Sequence, residues 1–233
     1  MSSGGFKQDL FAQFARVGKA LGNGNRLELL EFLAQGERSV DALSRVSGLS
    51  VANTSQHLQQ LRQAGLVSCR KEAQQVLYRL SGNDVIGLLS SLRTVAEHHL
   101  AEVGKLVDEY LTARDGLEPI PAAELLDRAR EGLVTVLDVR PPEEYAAGHL
   151  PGAVNVPLAE LEKHLEYLPA GKEVVAYCRG PYCVLAFEAV ATLRTHGLSA
   201  RRFEAGYPEW QTAGLPTEQG PARDSGVTPE PSR

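Results

Sequence analysis

Apolar positions in the first third of the chain recur at helical spacing, with glycine-rich breaks between runs. Phe6, Leu10, Phe14, Val17 and Leu21 fall near a 3.6-residue period and predict an amphipathic helix over Phe6–Leu21. Gly22, Asn23, Gly24 and Asn25 break it. Arg26–Gln35 resumes the pattern through Leu27, Leu29, Leu30, Phe32 and Leu33, and Gly36 stops it. Ser39 is placed to cap a short helix, Val40–Ser47, in which Val40, Leu43 and Val46 are apolar. After a turn at Gly48 and Leu49, Ser50 caps a further helix that runs to about Ala64, and Gly65 ends it. Two runs with strand character, Leu66–Arg70 and Gln75–Leu80, flank the polar Lys71–Gln74 and predict a hairpin. Asn83 or Asp84 then caps a long helix over Val85–Leu111.

Beyond residue 118 the pattern alternates. Ala122–Glu131, Glu143–Ala147, Leu158–Tyr167 and Leu185–His196 read as helices. Val134–Val139, Val154–Val156, Glu173–Tyr177 and Ala200–Phe203 read as short apolar strands. Such alternation predicts an α/β fold with a parallel sheet. The expected organisation is a mostly helical domain over 1–112, a linker at 113–118, an α/β domain over 119–217 and a tail at 218–233. From Pro216 onward the chain is rich in Pro, Gly and charge, so the tail is expected to be disordered.

A length of 233 residues suits two small domains, and 43% hydrophobic residues suffice for packed cores. No apolar run is long enough to span a bilayer, and the N-terminus lacks a basic stretch followed by an apolar core. Three cysteines, Cys69, Cys178 and Cys183, are too few and too unevenly placed for a disulfide framework. The expectation is a cytoplasmic protein with no membrane partner. The net charge of −5 argues against nucleic acid as a partner until it is divided. Residues 1–115 hold 13 Lys and Arg against 12 Asp and Glu, whereas 116–233 hold 11 against 17. The acidity belongs to the back half, and the front half is free to present a local basic face.

Two helices joined by a glycine turn and followed by a hairpin predict a winged helix-turn-helix whose second helix enters the major groove. Ser50, Asn53, Thr54, Ser55, Gln56, His57, Gln59 and Gln60 are hydrogen-bonding residues on that helix, while Val51, Leu58 and Leu61 are expected to face the core. Asn and Gln pair bidentately with adenine edges. Arg62, with Arg70, Lys71 and Arg79 of the hairpin, is placed to hold phosphates. The stretch LSVANTSQHLQQLRQAGLV, with Arg26–Leu33 and the hairpin CRKEAQQVLYRL, resembles the ArsR-type winged-helix repressors over about residues 7–110. The resemblance implies a homodimer paired through its first and last helices on two-fold, double-stranded operator DNA. Many relatives sense metals through a cysteine pair before the turn; here Arg38, Ser39, Val40 and Asp41 stand there. A second site of the family uses Asp, His and Glu on the last helix. This chain offers Asp84, Glu97, His98 and His99, but adjacent histidines point about 100° apart on a helix. They are read as solvated, and neither a metal nor a cofactor is expected. Cys69, with no second thiol near it in sequence, is read as a small strand residue.

In the back half, VVAYCRGPYCV places Cys178 at the end of an apolar run, in a Gly/Pro loop just before a helix. Strand, cysteine, tight loop and helix expose a thiol above backbone N–H groups, which lower its pKa and cradle an anion. The combination of VLDVR, EEYAAGHLPGAVN, the Cys178 loop and FEAGYPEWQTAGLP resembles a rhodanese domain over Pro119–Pro216. That resemblance implies Cys178 as the catalytic cysteine, carrying sulfane sulfur as a persulfide. It also implies a cradle formed by the loop at Arg179, Gly180, Tyr182 and Val184. Arg179 either adds charge for an anionic donor or points to solvent. Asp138 and Arg140 read as partners that tie loops together, and His149 as a packing residue. Related phosphatases close their loop with an Arg, but Cys183 and Val184 stand at the far end here, which argues against phosphatase chemistry. Cys183 is either a half-buried filler or a resolving thiol, able to bridge Cys178 as a disulfide or polysulfide.

Together these readings give a DNA-binding repressor responsive to thiosulfate, polysulfide or a low-molecular-weight persulfide. Two alternatives stay open. One is a sulfurtransferase for which the winged helix only supplies dimerisation or location. The other is an arsenic or metal sensor with an accessory rhodanese, against which the missing cysteine pair counts.

Overall fold

The computed structural model describes residues 3–112, 119–169 and 171–221. The expected linker at 113–118 lies outside the described residues, as does 222–233 of the expected tail. The chain packs as two compact units that divide between Leu92 and Arg93.

The first unit holds α1 (Ser3–Leu21), α2 (Gly24–Ala34), β1 (Arg38–Ser39), α3 (Val40–Ser47), α4 (Val51–Gln63), β2 (Val67–Glu72), β3 (Gln75–Leu80) and the start of α5 (Asp84–His99). Side-chain caps set the helix starts. Asn23, Ser39 and Ser50 accept from the backbone N–H of Arg26, Ala42 and Asn53 at 3.2, 3.2 and 3.3 Å. Gly48, at φ 69°, ends α3 in the left-handed conformation that a residue with a Cβ resists. Leu29, Leu30, Leu43, Leu58 and Leu61 form a fully buried core. Val51 does not join it: one turn ahead of the inward stripe, at the helix end, it is 50% exposed.

The hairpin register runs from Val67↔Leu80 to Glu72↔Gln75, leaving a two-residue turn at Ala73 and Gln74. That tight turn draws Lys71 and Glu72 into the ladder, so β2 reaches further than the polar run suggested. β1 pairs with β3 and has only two residues, too few to carry a periodic signal. The expected single helix over 85–111 is interrupted. Leu100 is extended, α6 (Ala101–Val107) follows, and a π turn closes Asp108–Thr112. The weak helix formers His98 and His99 lie just before the break.

The second unit contains α7 (Ala122–Arg130), β4 (Val134–Asp138), α8 (Pro142–Ala147), β5 (Val154–Asn155), α9 (Leu161–His164), β6 (Glu173–Cys178), α10 (Val184–Thr195), β7 (Ala200–Gly206) and α11 (Tyr207–Thr212). Short 3₁₀ turns flank α9. The sheet is parallel throughout, ordered β5–β4–β6–β7. Alternation along β6 splits the core into two layers, as period-two geometry requires. Val174, Ala176 and Cys178 join Ala189, Val190 and Leu193 of α10, while Val175 and Tyr177 join Leu125 of α7 and Trp210 of α11. Cys178 therefore ends a central strand at its carboxyl end, where parallel sheets place their ligands.

Residues 216–221 correct the expectation of disorder at the start of the tail. Trp210 Nε1 donates to the Pro216 carbonyl at 2.7 Å, and Glu218 exchanges both backbone hydrogen bonds with His149 at 2.9 Å. A β-bridge and a buried indole override the Pro- and Gly-rich composition. Among the described residues no helix is long and apolar enough to cross a membrane.

Candidate functional site

Among the described residues the predicted site residues fall in two groups, one in each unit. In the first unit, α4 presents Ser50, Asn53, Gln56 and Gln59 to solvent, with Ser55 and His57 half-buried. Thr54 is a correction to the expected face. It is fully buried and its Oγ1 donates to the Ser50 carbonyl at 3.0 Å, so the first turn of the helix consumes its hydroxyl. Gln60 accepts from Arg26 Nη1 at 2.6 Å, which ties α4 to α2. The His57 Nδ1 is buried without a hydrogen-bond partner among the described residues.

The cations beside this face differ in freedom. Arg62 is exposed and donates to Cys69 Sγ at 3.3 Å, linking α4 to the base of the hairpin. Arg70 chelates Glu37 at 2.9 and 2.6 Å and also meets Glu72 at 2.9 Å. Exposed pairs of this kind hold only weakly in water, so a phosphate can compete for the guanidinium. Lys71 is exposed near the hairpin tip, and Arg79 donates to Ser68 Oγ at 3.3 Å. Among the described residues no three His, Cys, Asp or Glu side chains gather as a metal site, and the rings of His98 and His99 stand at 86° to each other.

In the second unit, Cys178 ends β6, residues 179–182 turn, and Cys183 occupies the N-cap position of α10. Cys178 is 1% exposed, which corrects the expected exposed thiol of lowered pKa. Burial, followed by the hydrogen bond and charge of Cys183, pushes the Cys178 thiol well up. Its Sγ lies 3.4 Å from the Cys183 carbonyl oxygen, and the backbone N–H groups of Gly180 and Ala186 face its sulfur. Cys183 is half-buried and lowered to about 7. The hydrogen bond from Cys178 is the largest cause, and burial opposes it. The N–H groups of Arg179 and Leu185 and the charge of Arg179 add to the lowering.

The N–H groups that face the sulfurs therefore belong to Arg179, Gly180, Leu185 and Ala186. Gly180 is buried, Tyr182 is half-buried and Val184 is exposed. Leu185 and Ala186 were not foreseen. Counting N–H positions inward from a cysteine at a helix N-cap would have found them.

Arg179 does not point to solvent. Its guanidinium is chelated by Glu144 of α8, with Nε 3.0 Å from both carboxylate oxygens and Nη2 2.8 Å from Oε1. Glu144 is 1% exposed, so this bidentate pair is largely removed from water and fixes the start of the cysteine loop. On the opposite side, Gly206 ends β7 so close to the loop that a Cβ there would fall on Gly180 N and Arg179 C.

Beneath the loop lies the expected tie between Asp138 and Arg140, both fully buried. Arg140 Nη2 reaches Asp138 Oδ2 at 2.6 Å and the Gly148 carbonyl at 2.7 Å, and Tyr177 donates to the same carboxylate at 2.6 Å. Burial works against the Arg140 charge, but Asp138 outweighs it and holds the guanidinium above its ordinary value. The guanidinium also sits 4.7 Å from the Tyr207 ring centroid. His149 stacks on Tyr145 at 3.6 Å and bonds its carbonyl at 2.8 Å, as a packing residue would.

The profile of bacterial regulatory proteins of the arsR family matches residues 23–68, and that of the rhodanese-like domain matches residues 121–213. The HTH-type transcriptional regulator Rv0324 of Mycobacterium tuberculosis is 46% identical over 214 residues, which span 92% of this chain and 94% of that protein. Human thiosulfate:glutathione sulfurtransferase is 31% identical over 108 residues, 41% of this chain and 94% of that one. The solution structure of the homodimeric winged helix-turn-helix DNA-binding domain of Mb0332 from Mycobacterium bovis is 44% identical. It covers 43% of this chain and 91% of its own, with a TM-score of 0.40.

Proposed function

Because the chain belongs to the arsR family of winged-helix transcriptional regulators and carries a rhodanese-like domain behind that module, we propose that it is a sulfur-responsive repressor. It binds double-stranded operator DNA as a homodimer in the cytoplasm. It leaves the operator when its cysteine loop takes up sulfane sulfur as a Cys178 persulfide. The observation that carries this reading is the pairing, in one chain, of an exposed amide-bearing helix face with two thiols set among backbone N–H groups.

Asn53, Gln56 and Gln59 supply the bidentate amides that read adenine, each good pair being worth about 1–3 kcal/mol of discrimination. Arg62, Arg70, Lys71 and Arg79 hold phosphates on either side. The exposed apolar side chains Phe6, Phe11 and Phe14 of α1 and Leu88 and Leu92 of α5 supply the surface that a second copy covers. In the loop, a thiolate attacks the sulfane sulfur of thiosulfate, a polysulfide or a small persulfide. The donor's S–S bond breaks, and sulfite or a thiolate leaves with its electron pair. The loop N–H groups then hold the anionic persulfide.

Fluorescence anisotropy with DNA from the protein's own promoter region, at fixed salt, tests the reading. Polysulfide treatment is expected to weaken specific binding at least about tenfold, a coupling of about 1.4 kcal/mol, and Cys178→Ser is expected to abolish the response. Unchanged, sequence-specific binding after treatment sinks it. A second reading, a sulfurtransferase first, draws on the likeness to the human sulfurtransferase. It expects brisk transfer of sulfur from thiosulfate together with weak DNA binding that ignores sequence.

A further inference from the structure

Cys178 and Cys183 are not equivalent acceptors. Displacement at a sulfane sulfur is in line: the attacking sulfur, the sulfur received and the leaving sulfur lie on one axis, with room behind for the departing group. Cys178 is 1% exposed and belongs to the layer of Leu137, Val139, Ala186 and Val190, so a donor finds no such approach to it. Cys183 is half-buried, beside the exposed Val184 at the start of a twelve-residue helix, and it is within reach. Cys178 Sγ lies 3.4 Å from the Cys183 carbonyl oxygen and each thiol shifts the acidity of the other, so whatever one receives lies beside the other.

We propose that Cys183 is the entry thiol, taking sulfane sulfur from a low-molecular-weight persulfide and passing it inward to Cys178. This rests on the reading of the loop as a sulfur acceptor. In the first step the Cys183 thiolate attacks the terminal sulfur of R–S–SH. The donor's S–S bond breaks, R–S⁻ leaves with the electron pair and takes up a proton, and Cys183 becomes a persulfide. In the second step the sulfur of Cys178 attacks that terminal sulfur. Cys178–S–SH forms, the Cys183 S–S bond breaks, and Cys183 takes the proton that Cys178 gives up. Neither step changes the number of sulfane sulfurs, and no outside oxidant is required.

The order agrees with the acidity of the two groups. A thiol at about 7 is ionised near neutrality far more than an ordinary thiol. Its lower intrinsic nucleophilicity takes back most of that gain, leaving roughly a fivefold advantage. The same acidity makes Cys183 the better leaving group in the second step, and burial then shields the stored persulfide from bulk thiols.

The test loads the reduced full-length protein with glutathione persulfide, followed by intact mass and persulfide-selective alkylation with peptide mapping. The wild type is expected to gain one sulfur on Cys178. Cys178→Ser is expected to gain one that stays on Cys183. Cys183→Ser, and Cys183→Ala as a second variant confirmed folded by circular dichroism, are expected to load Cys178 at least about fivefold more slowly. Loading of Cys178 at the wild-type rate in both Cys183 variants overturns the proposal, as does a Cys178→Ser protein that takes no sulfur. Release of free sulfide with a Cys178–Cys183 disulfide as the product overturns it too, because the sulfur is then expelled rather than passed on. A wild-type protein that takes no sulfur at all fails one level higher, at the acceptor reading itself.

Discussion

Cys183 owes its acidity to four things acting on one sulfur: the S–H of Cys178, the N–H groups of Arg179 and Leu185, and the Arg179 charge. All four favour the thiolate, and burial opposes them. Since the folded value lies below the ordinary one, alkylation by iodoacetamide is expected to rise with pH and reach half its maximum near pH 7. Cys178→Ala removes the largest favourable contribution, so its profile moves up toward the ordinary thiol value of about 8.5. A Cys183 profile unmoved by Cys178→Ala would show that the two thiols do not share a hydrogen bond. Glu144 acts on the same chemistry at one remove, because it holds the cation that lies beside Cys183.

At the scale of elements, α4 divides into a buried face and a polar, exposed one. Thr54, Leu58 and Leu61 are fully buried, while Asn53, Gln56 and Gln59 stand in solvent. Gln56→Ala is therefore expected to leave the thermal midpoint almost unchanged and to cost about 1–3 kcal/mol at one operator base pair. Thr54→Val has the opposite signature. It removes the bond to the Ser50 carbonyl, costs about 0.5–1.5 kcal/mol of folding stability and spares base discrimination. Anisotropy titrations with single-base operator variants, beside urea unfolding, separate the two. The sequence marked both residues as polar and helical, and that is as far as a polar inventory reaches. Which polar residue turns inward depends on where the core stripe meets α2 and α3.

At the scale of the whole molecule, each unit buries a core of its own, yet α1 leaves Phe6, Phe11 and Phe14 at 62%, 57% and 59% exposed. On the proposed reading a second copy of the chain covers these side chains. Phe11→Glu combined with Phe14→Glu is expected to shift the protein from dimer to monomer in sedimentation velocity. Operator affinity should fall with it, since two half-sites then no longer share one protein. A double variant that remains a dimer would place the interface elsewhere.

The sequence alone determined whatever depends on local pattern: helix period, serine caps, glycine stops, the alternation that makes a parallel sheet, and the motifs that carry both resemblances. It also placed Cys178 at a strand end and Asp138 with Arg140 as a loop tie, because short spacings along the chain put them there. The tertiary structure decided what depends on distant neighbours. Glu144 precedes Arg179 by 35 positions, and its hold on that guanidinium arises from packing α8 against the loop. The tail residue Glu218 pairs with His149 across a gap about twice as long, against the disorder its composition suggested. Most consequential is the division between the two thiols. An ordering read from local motif gives the strand-end cysteine the exposed and acidic role. Desolvation is a property of the surrounding volume rather than of spacing; it withholds that role from Cys178 and leaves the half-buried Cys183 as the more acidic thiol.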